Sequence, residues 1–280
     1  ALRQAHLYTR LGRVSMPEAR FADAASSYDA AEALLGGEPG DQDDDAAVDH
    51  WLELMIDGRT SLYGVLGQAD RAEAVLGQVG PLLRARGTPA RKTEFYRLIA
   101  MAHLAHNGMR PADEDVELLR RSMAFSRQTG EAKDAAYAAH FLGFVLGLHG
   151  DLAEAREVHE EAVDMAERIG ESVLLTGALT GLALIALHQR DSGTARSALA
   201  RAVAAARGGE HDERGAGRAA LWEKVAQVVL ARLDQTRPDQ PGDLAGLFGE
   251  LTQFIGTTPG TLDMRLTDVL YLARGLGSPA

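Results

Sequence analysis

The chain of 280 residues contains no cysteine. Disulfides, thiolate metal sites and cysteine nucleophiles are therefore excluded, and the composition suits a reducing compartment, so the cytoplasm is the expected location. Aromatic residues make up only 5%. Val, Ile and Thr nowhere cluster in alternating runs, which argues against extended sheets. Basic residues fall short of acidic ones, 29 Lys+Arg against 40 Asp+Glu, and the formal net charge is −11. Nucleic acid and membrane surfaces are both anionic, so neither is expected as a direct partner. No charged segment precedes an apolar stretch near the start, so nothing reads as a signal peptide. The chain opens on a helix-like pattern, Leu2, His6, Leu7 and Leu11, and is expected to be a piece of a longer protein. The longest uncharged run, Ser172 to Gln189, reaches only the lower edge of transmembrane length, about 18 residues. It holds Thr176, Gly177, Thr180, Gly181 and His188, and reads as a helix buried on most sides.

Motifs that carry chemistry are also scarce. No Gly-Lys pair occurs, so there is no phosphate-binding loop. His159-Glu160-Glu161 begins like a zinc-protease helix, but Val163 stands where the second histidine belongs. Gly215-Ala216-Gly217-Arg218-Ala219-Ala220 fits a loose dinucleotide fingerprint without the strand that should precede it. Asp41, Asp43 and Asp45 mimic the start of a calcium loop, but Ala46 and Leu52 occupy its glycine and glutamate positions. No G-x-S-x-G elbow is present, and no pair of carboxylates stands out as an acid–base couple. Neither an enzyme, a cofactor nor a bound metal is expected.

What the chain does have is alanine and repetition. Alanine is the best helix former, so an all-α protein is expected. Gly150-Asp151-Leu152-Ala153-Glu154-Ala155 opens a frame in which Ala155 is followed by His159 and Ala162. Ala195, Leu199 and Ala202 repeat it forty residues later, Phe21, Ala24, Tyr28 and Ala31 match it, and so do Ala69, Ala72, Leu76 and Val79. A second helix precedes each frame: Tyr8, Leu11, Gly12, Ser15; Ala139, Leu142, Gly143, Leu146; Leu179, Leu182, Ala183, Ala186. A small residue lies 12 positions before the first alanine of three frames, at 12 and 24, 143 and 155, 183 and 195. Small residues let two helices approach closely, and the large residue between the alanines fills the remaining hole. Tyr96, Ile99, Ala100 and His103 form a first helix whose partner, near Asp115 to Gln128, lacks the paired alanines. Trp222, Val225, Ala226 and Val229 begin a sixth unit, and Thr261 to Leu276 would cap the open end.

These residues resemble the tetratricopeptide repeat, with its small and aromatic positions on two antiparallel helices. The resemblance implies a right-handed α-solenoid of about six helix pairs plus a C-terminal capping helix. Five repeats would occupy 1–207, and a divergent pair and cap 208–280, as one continuous domain. The order of Trp51-Leu52-Glu53-Leu54, Gly87-Thr88-Pro89-Ala90-Arg91, Phe141-Leu142-Gly143-Phe144 and Gly150 to Ala155 is also similar to the C-terminal helical region of bacterial LuxR-type and adenylate-cyclase-like signalling ATPases. That resemblance implies a non-enzymatic regulatory or sensor arm that binds a protein, peptide or small-molecule effector. A peptide-pheromone-type receptor domain and a self-association module, possibly a homodimer, are the alternatives.

In tetratricopeptide proteins the first helices carry the ligand contacts. The positions this implies are Asp57 and Ser61; Arg97 and Met101; Tyr137, His140 and Phe144; Thr180, Leu184 and His188; Glu223 and Gln227. The expected centre is Arg97, Tyr137, His140 and Phe144. A basic cluster, Arg84, Arg86, Arg91, Lys92 and Arg97 with Glu94 as its one acid, is a second candidate, for an acidic segment or a phosphate.

Overall fold

The computed structural model describes residues 1–16, 20–40 and 42–208. Glu223 and Gln227, the sixth pair, the capping helix, the loose fingerprint at 215–220 and Asp41 lie outside the described residues. Among the described residues every regular element is helical, and no helix is long and apolar enough to cross a membrane.

The chain divides into two compact units, Ala1–Ala138 and from Ala139 onward. In the first, α1 (Leu2–Ser15) packs on α2 (Phe21–Leu35). The helix α3 (Asp45–Glu53) runs without a break into a π-helical segment (Leu54–Thr60) and then α4 (Ser61–Val65), and this rod packs on α5 (Ala69–Arg86). Next, α6 (Pro89–His106) packs on α7 (Asp113–Thr129). The unit border falls inside α8 (Ala132–His149). The second unit continues with α9 (Leu152–Ile169), α10 (Ser172–His188) and α11 (Ser192–Gly208), and α10 packs on both its neighbours.

Local chemistry sets the helix ends. Asp44 accepts the Ala47 N–H at 2.7 Å and starts α3. The acidic stretch that opens at Gly36 is therefore helical from Asp45 onward. Thr88 accepts the Arg91 N–H at 3.4 Å, and Pro89 takes the first position of α6, where its missing N–H costs nothing. Gly130 and Gly170 end α7 and α9 at φ +73° and +70°, a left-handed turn that only glycine adopts cheaply. Asp115 accepts the Ala112 N–H at 2.8 Å and His103 at 3.0 Å, fixing the start of α7 to α6.

Packing inside each unit follows one device. Tyr28 of α2 is fully buried, and its ring lies between two glycines. A Cβ on Gly12 of α1 would stand 2.3 Å from the ring, and one on Gly58 of the π segment 3.1 Å. In the second unit His159 of α9 takes the same place, 2.9 Å from a Cβ on Gly143 of α8 and 2.4 Å from one on Gly181 of α10. The alanines that flank these large residues, Ala24, Ala31, Ala155 and Ala162, are all at 0% exposure. Small side chains thus let adjacent helices close on one ring. Trp51, Leu52 and Ile56 build the largest core of the first unit with Leu76, Val79 and Leu83 of α5.

Candidate functional site

The first helices of the first unit, α1, α3 with its π segment, and α6, share a row of charged side chains that is buried at Glu53 and Arg97, nearly so at Asp57 and Arg91, and opens to solvent at Arg13 and Asp49. Arg91 sits at its centre. Its guanidinium lies 3.2 Å from Asp49 Oδ1, 3.5 Å from Glu53 Oε2 and 2.6 Å from Asp57 Oδ2. Arg13 of α1 reaches Glu53 Oε1 at 3.1 Å and Asp57 Oδ2 at 3.7 Å. Arg97 donates from Nε to Glu94 Oε2 at 2.9 Å and pairs with its other oxygen as well. Glu53 and Arg97 side chains are only 8% and 7% exposed, unlike a solvated face.

The π segment makes this alignment possible. Asp49, Glu53 and Asp57 are spaced four apart, and on a straight α-helix such a series drifts round the rod. A π segment is underwound, so Asp57 stays over Glu53 and one guanidinium touches all three carboxylates. The Thr60 hydroxyl donates to the Met55 carbonyl at 2.9 Å and secures the wider turn. Arg59 ties the same segment to α2 through Asp29 and Glu32, both at 2.6 Å.

Electrostatics single out Asp57. Burial pushes its carboxyl up to about 7; Arg91 and Arg13 oppose this, while Glu94 and Glu53 reinforce it. Its Oδ1 is buried without a hydrogen-bond partner. Burial also acts to raise Glu94, but adjacent Arg97 more than reverses it, and that carboxyl falls below its usual range. Four carboxylates, Asp49, Glu53, Asp57 and Glu94, face three guanidiniums, so the row does not carry positive charge. A perturbed carboxyl and an orphaned acceptor together make Asp57 a candidate functional position.

Of the sequence-derived positions in the first unit, Asp57, Arg97 and Tyr137 share one electrostatic field. Met101 is half-buried further along α6. In the second unit His140 and Phe144 are buried. The His140 ring lies 5.4 Å from Phe141 and 5.6 Å from His159, and a Cβ on Gly177 would come within 3.1 Å of it. The Thr180 hydroxyl donates to the Thr176 carbonyl at 2.8 Å, inside its own helix. His188 is exposed at the end of α10. His159 is completely buried, and this burial, aided by His140, holds its pKa well below the usual histidine value.

The basic cluster is not an open anion site. Arg91 and Arg97 are neutralised as described, and Arg86 pairs with Asp45 at 2.8 Å. Arg97 is met by Glu94 on its own helix, whereas the acids that meet Arg86 and Arg91 lie on α3 and its π segment, some distance back along the chain. Sequence reasoning also missed Arg13, Asp49 and Glu53. The available signal was an acidic stripe at 49, 53 and 57 on a helix whose other residues, Trp51, Leu52, Leu54 and Ile56, are apolar. Two clefts occur elsewhere. One of about 320 Å³ is lined by Leu76, Gly80, Phe95 and His103, the other of about 260 Å³ by Arg156, Asp164, Ser197 and Arg201.

No family model matches the chain, and neither does any curated protein. Among solved structures it is similar to a Rap protein complexed with Competence and Sporulation Factor. The identity is 16%, the TM-score 0.64, and the match covers 98% of this chain and 76% of that one. It is also similar to BtubC (BKLC) from P. vanneervenii, at 14% identity and a TM-score of 0.49, over 91% of each chain. The first likeness shows the fold: an all-α helical repeat of the tetratricopeptide type, in consecutive helix pairs.

Proposed function

We propose that this chain is a non-enzymatic binding scaffold whose ligand is a peptide, or a peptide-like segment of a protein partner, taken up on the first-helix row of Asp57, Arg91 and Arg97. The observation that carries this is the Asp57 carboxyl. It is buried, raised to about 7, and keeps one oxygen without a donor. An amide or cationic N–H of a bound segment would satisfy that oxygen, and desolvation strengthens such a bond. The solved Rap protein holds a peptide factor on a similar fold, which favours a peptide over other effectors. The sequence resemblance to LuxR-type and adenylate-cyclase-like signalling ATPases supplies the setting: a regulatory arm that reports ligand occupancy to a nucleotide-binding module elsewhere in a longer protein.

The test is selection of short peptides from a random display library on the full chain, followed by titration of the selected peptides against variants. Asp57→Asn and Arg97→Lys should each weaken binding tenfold or more. Arg156→Ala and Arg201→Ala, beside the distant cleft, should leave it unchanged. Selected peptides that bind all four variants equally would refute the site.

A further inference from the structure

We propose that His6, His50 and Glu53 form a binding site for one divalent transition-metal ion, with zinc as the fitting metal, clamping α1 to α3. One ligand atom from each of the three residues lies within 4.8 Å of the other two. The His6 and His50 rings stack at 4.7 Å with planes 16° apart. The Nδ1 atoms of both rings are buried and make no hydrogen bond. His6 Nδ1 is 3.2 Å from Glu53 Oε2. Of these two buried nitrogens, His6 Nδ1 meets only the Glu53 carboxylate and His50 Nδ1 meets no partner at all, which leaves a polar group that the packing by itself does not account for.

The donor set decides the ion. Two imidazoles and one carboxylate suit zinc and its neighbours, whereas calcium and magnesium take oxygen ligands. His50 and Glu53 stand three apart on α3 and so share one helix face, and His6 is delivered from α1. Ligand bonds of about 2.0–2.1 Å require the two rings to open from their stack towards Glu53, a side-chain movement that leaves both helices in place. Arg13 already holds Glu53 Oε1 at 3.1 Å and would orient the carboxylate with Oε2 towards the ion. Arg91 is 3.5 Å from Oε2 and must release it, but keeps Asp49 and Asp57. The three guanidiniums of the row are outnumbered by four carboxylates, so a cation does not enter a positive field. Coordination leaves a fourth position for water or for a ligand group.

The experiment is zinc titration of the full, chelator-treated chain by competition with a chromogenic chelator, with melting followed in parallel by circular dichroism. One ion per chain and a rise in melting temperature are expected. His6→Phe and His50→Phe keep a stackable ring without a donor, and each should lower affinity at least tenfold; Glu53→Gln should do the same. The exposed His188→Gln should bind as the parent does. Cobalt loading gives a readout independent of stability: its visible spectrum should report imidazole ligation in the parent and lose intensity in His50→Phe. Absence of stoichiometric zinc binding at micromolar concentration would overturn the site. So would binding that survives both histidine substitutions in chains with parental helix content. Peptide selection does not depend on zinc, so the two proposals fail separately.

Discussion

Gly12→Ala and Gly77→Ala are the same chemical change with opposite expected signs. Both glycines lie inside helices, where alanine is favoured by about 1 kcal/mol through backbone entropy. Nothing lies within 4 Å of a Cβ on Gly77, so Gly77→Ala should stabilise by about that amount. A Cβ on Gly12 would stand 2.3, 2.7 and 2.8 Å from three atoms of the Tyr28 ring. The ring cannot retreat, because its other face lies against Gly58, where a Cβ would be 3.1 Å away. Overpacking in such a place costs about 1–3 kcal/mol. Taking the upper end and subtracting the propensity gain leaves a net loss of about 2 kcal/mol, or roughly 4–8 °C in melting temperature for a chain of this class. Urea and thermal melts of both variants measure the difference. The mechanism has its own check in the Tyr28→Leu background, where the overpacking should disappear and Gly12→Ala should stabilise by about 1 kcal/mol, giving a coupling of about 3 kcal/mol. A Gly12→Ala chain as stable as the parent, or a penalty unchanged by Tyr28→Leu, would refute the account of how α1, α2 and the π segment close on one ring.

Three further outcomes follow from the buried charges. His159 has a depressed folded pKa, so its contribution is complete above the unfolded value near 6.5 and declines as pH falls below it, by up to about 1.4 kcal/mol per pH unit. His159→Phe, which places a ring where Tyr28 shows that one fits, should flatten that part of the stability–pH curve; an unchanged slope would put the acid sensitivity elsewhere. Asp57 is the opposite case. Its folded pKa of about 7 lies above the ordinary aspartate value of about 3.9, so stability from this group is full below about 4 and lost as pH rises through 7. The stability of Asp57→Asn relative to the parent should therefore rise across that window and stay constant above it; a relative stability that instead moves in favour of the parent with rising pH would contradict the raised carboxyl. Finally, Arg91→Ala removes the guanidinium shared by Asp49, Glu53 and Asp57, leaving Arg13 alone to face the last two, and should cost about 3–5 kcal/mol, whereas Arg86→Ala removes a pair with Asp45, 93% exposed, and should cost less than about 1 kcal/mol. Equal costs in denaturant melts would show that Arg91 is not the centre of the row.

The repeat architecture was legible because it is written in residue size. Gly12 with Ala24 and Gly143 with Ala155 keep one offset, and helix geometry turns a fixed offset of small residues into a fixed contact. The pairing of α6 with α7 was legible only by position, since α7 lacks the alanine frame. It is held instead by Ser122 donating to the Thr93 carbonyl at 2.8 Å and by Asp115 at its start. The site was half legible. Helix phase put Asp57, Arg97 and Tyr137 on first helices, where they share a field. The same phase put His140 and Phe144 in the ligand row; both are buried, as Arg97 is, and His140 packs among rings of the second unit instead of joining an ionic row. The basic cluster was misread for a different reason. Apart from Glu94, which pairs with Arg97, its counter-charges lie some forty residues away along the chain, at Asp45, Asp49, Glu53 and Asp57, and only the packing of α3 and its π segment against α5 and α6 brings them together.

The two ring sandwiches point to where function was placed. His159 and Tyr28 occupy equivalent positions, each between a glycine of its own pair and one of the next. Around His159 the ionisable neighbour is another imidazole, His140, and burial, aided by that ring, keeps His159 neutral. Around Tyr28 the equivalent volume has been given over to ions: Arg13, Asp57 and Arg59 all act on its hydroxyl, which burial raises to about 12 and leaves without a hydrogen-bond partner. A core of the second kind is less stable than one filled with apolar side chains of the same size, because the desolvation of each charge is only partly repaid by its pair. The π segment adds to this, since it interrupts the regular ladder of a helix at the residue that carries the orphaned oxygen. One fold thus contains the same packing unit in a stable and a compromised form. The compromise falls on Asp49, Glu53 and Asp57 with their arginines, where local rules of good packing are broken together, and such coincident violations are expected where a site rather than a core is being built.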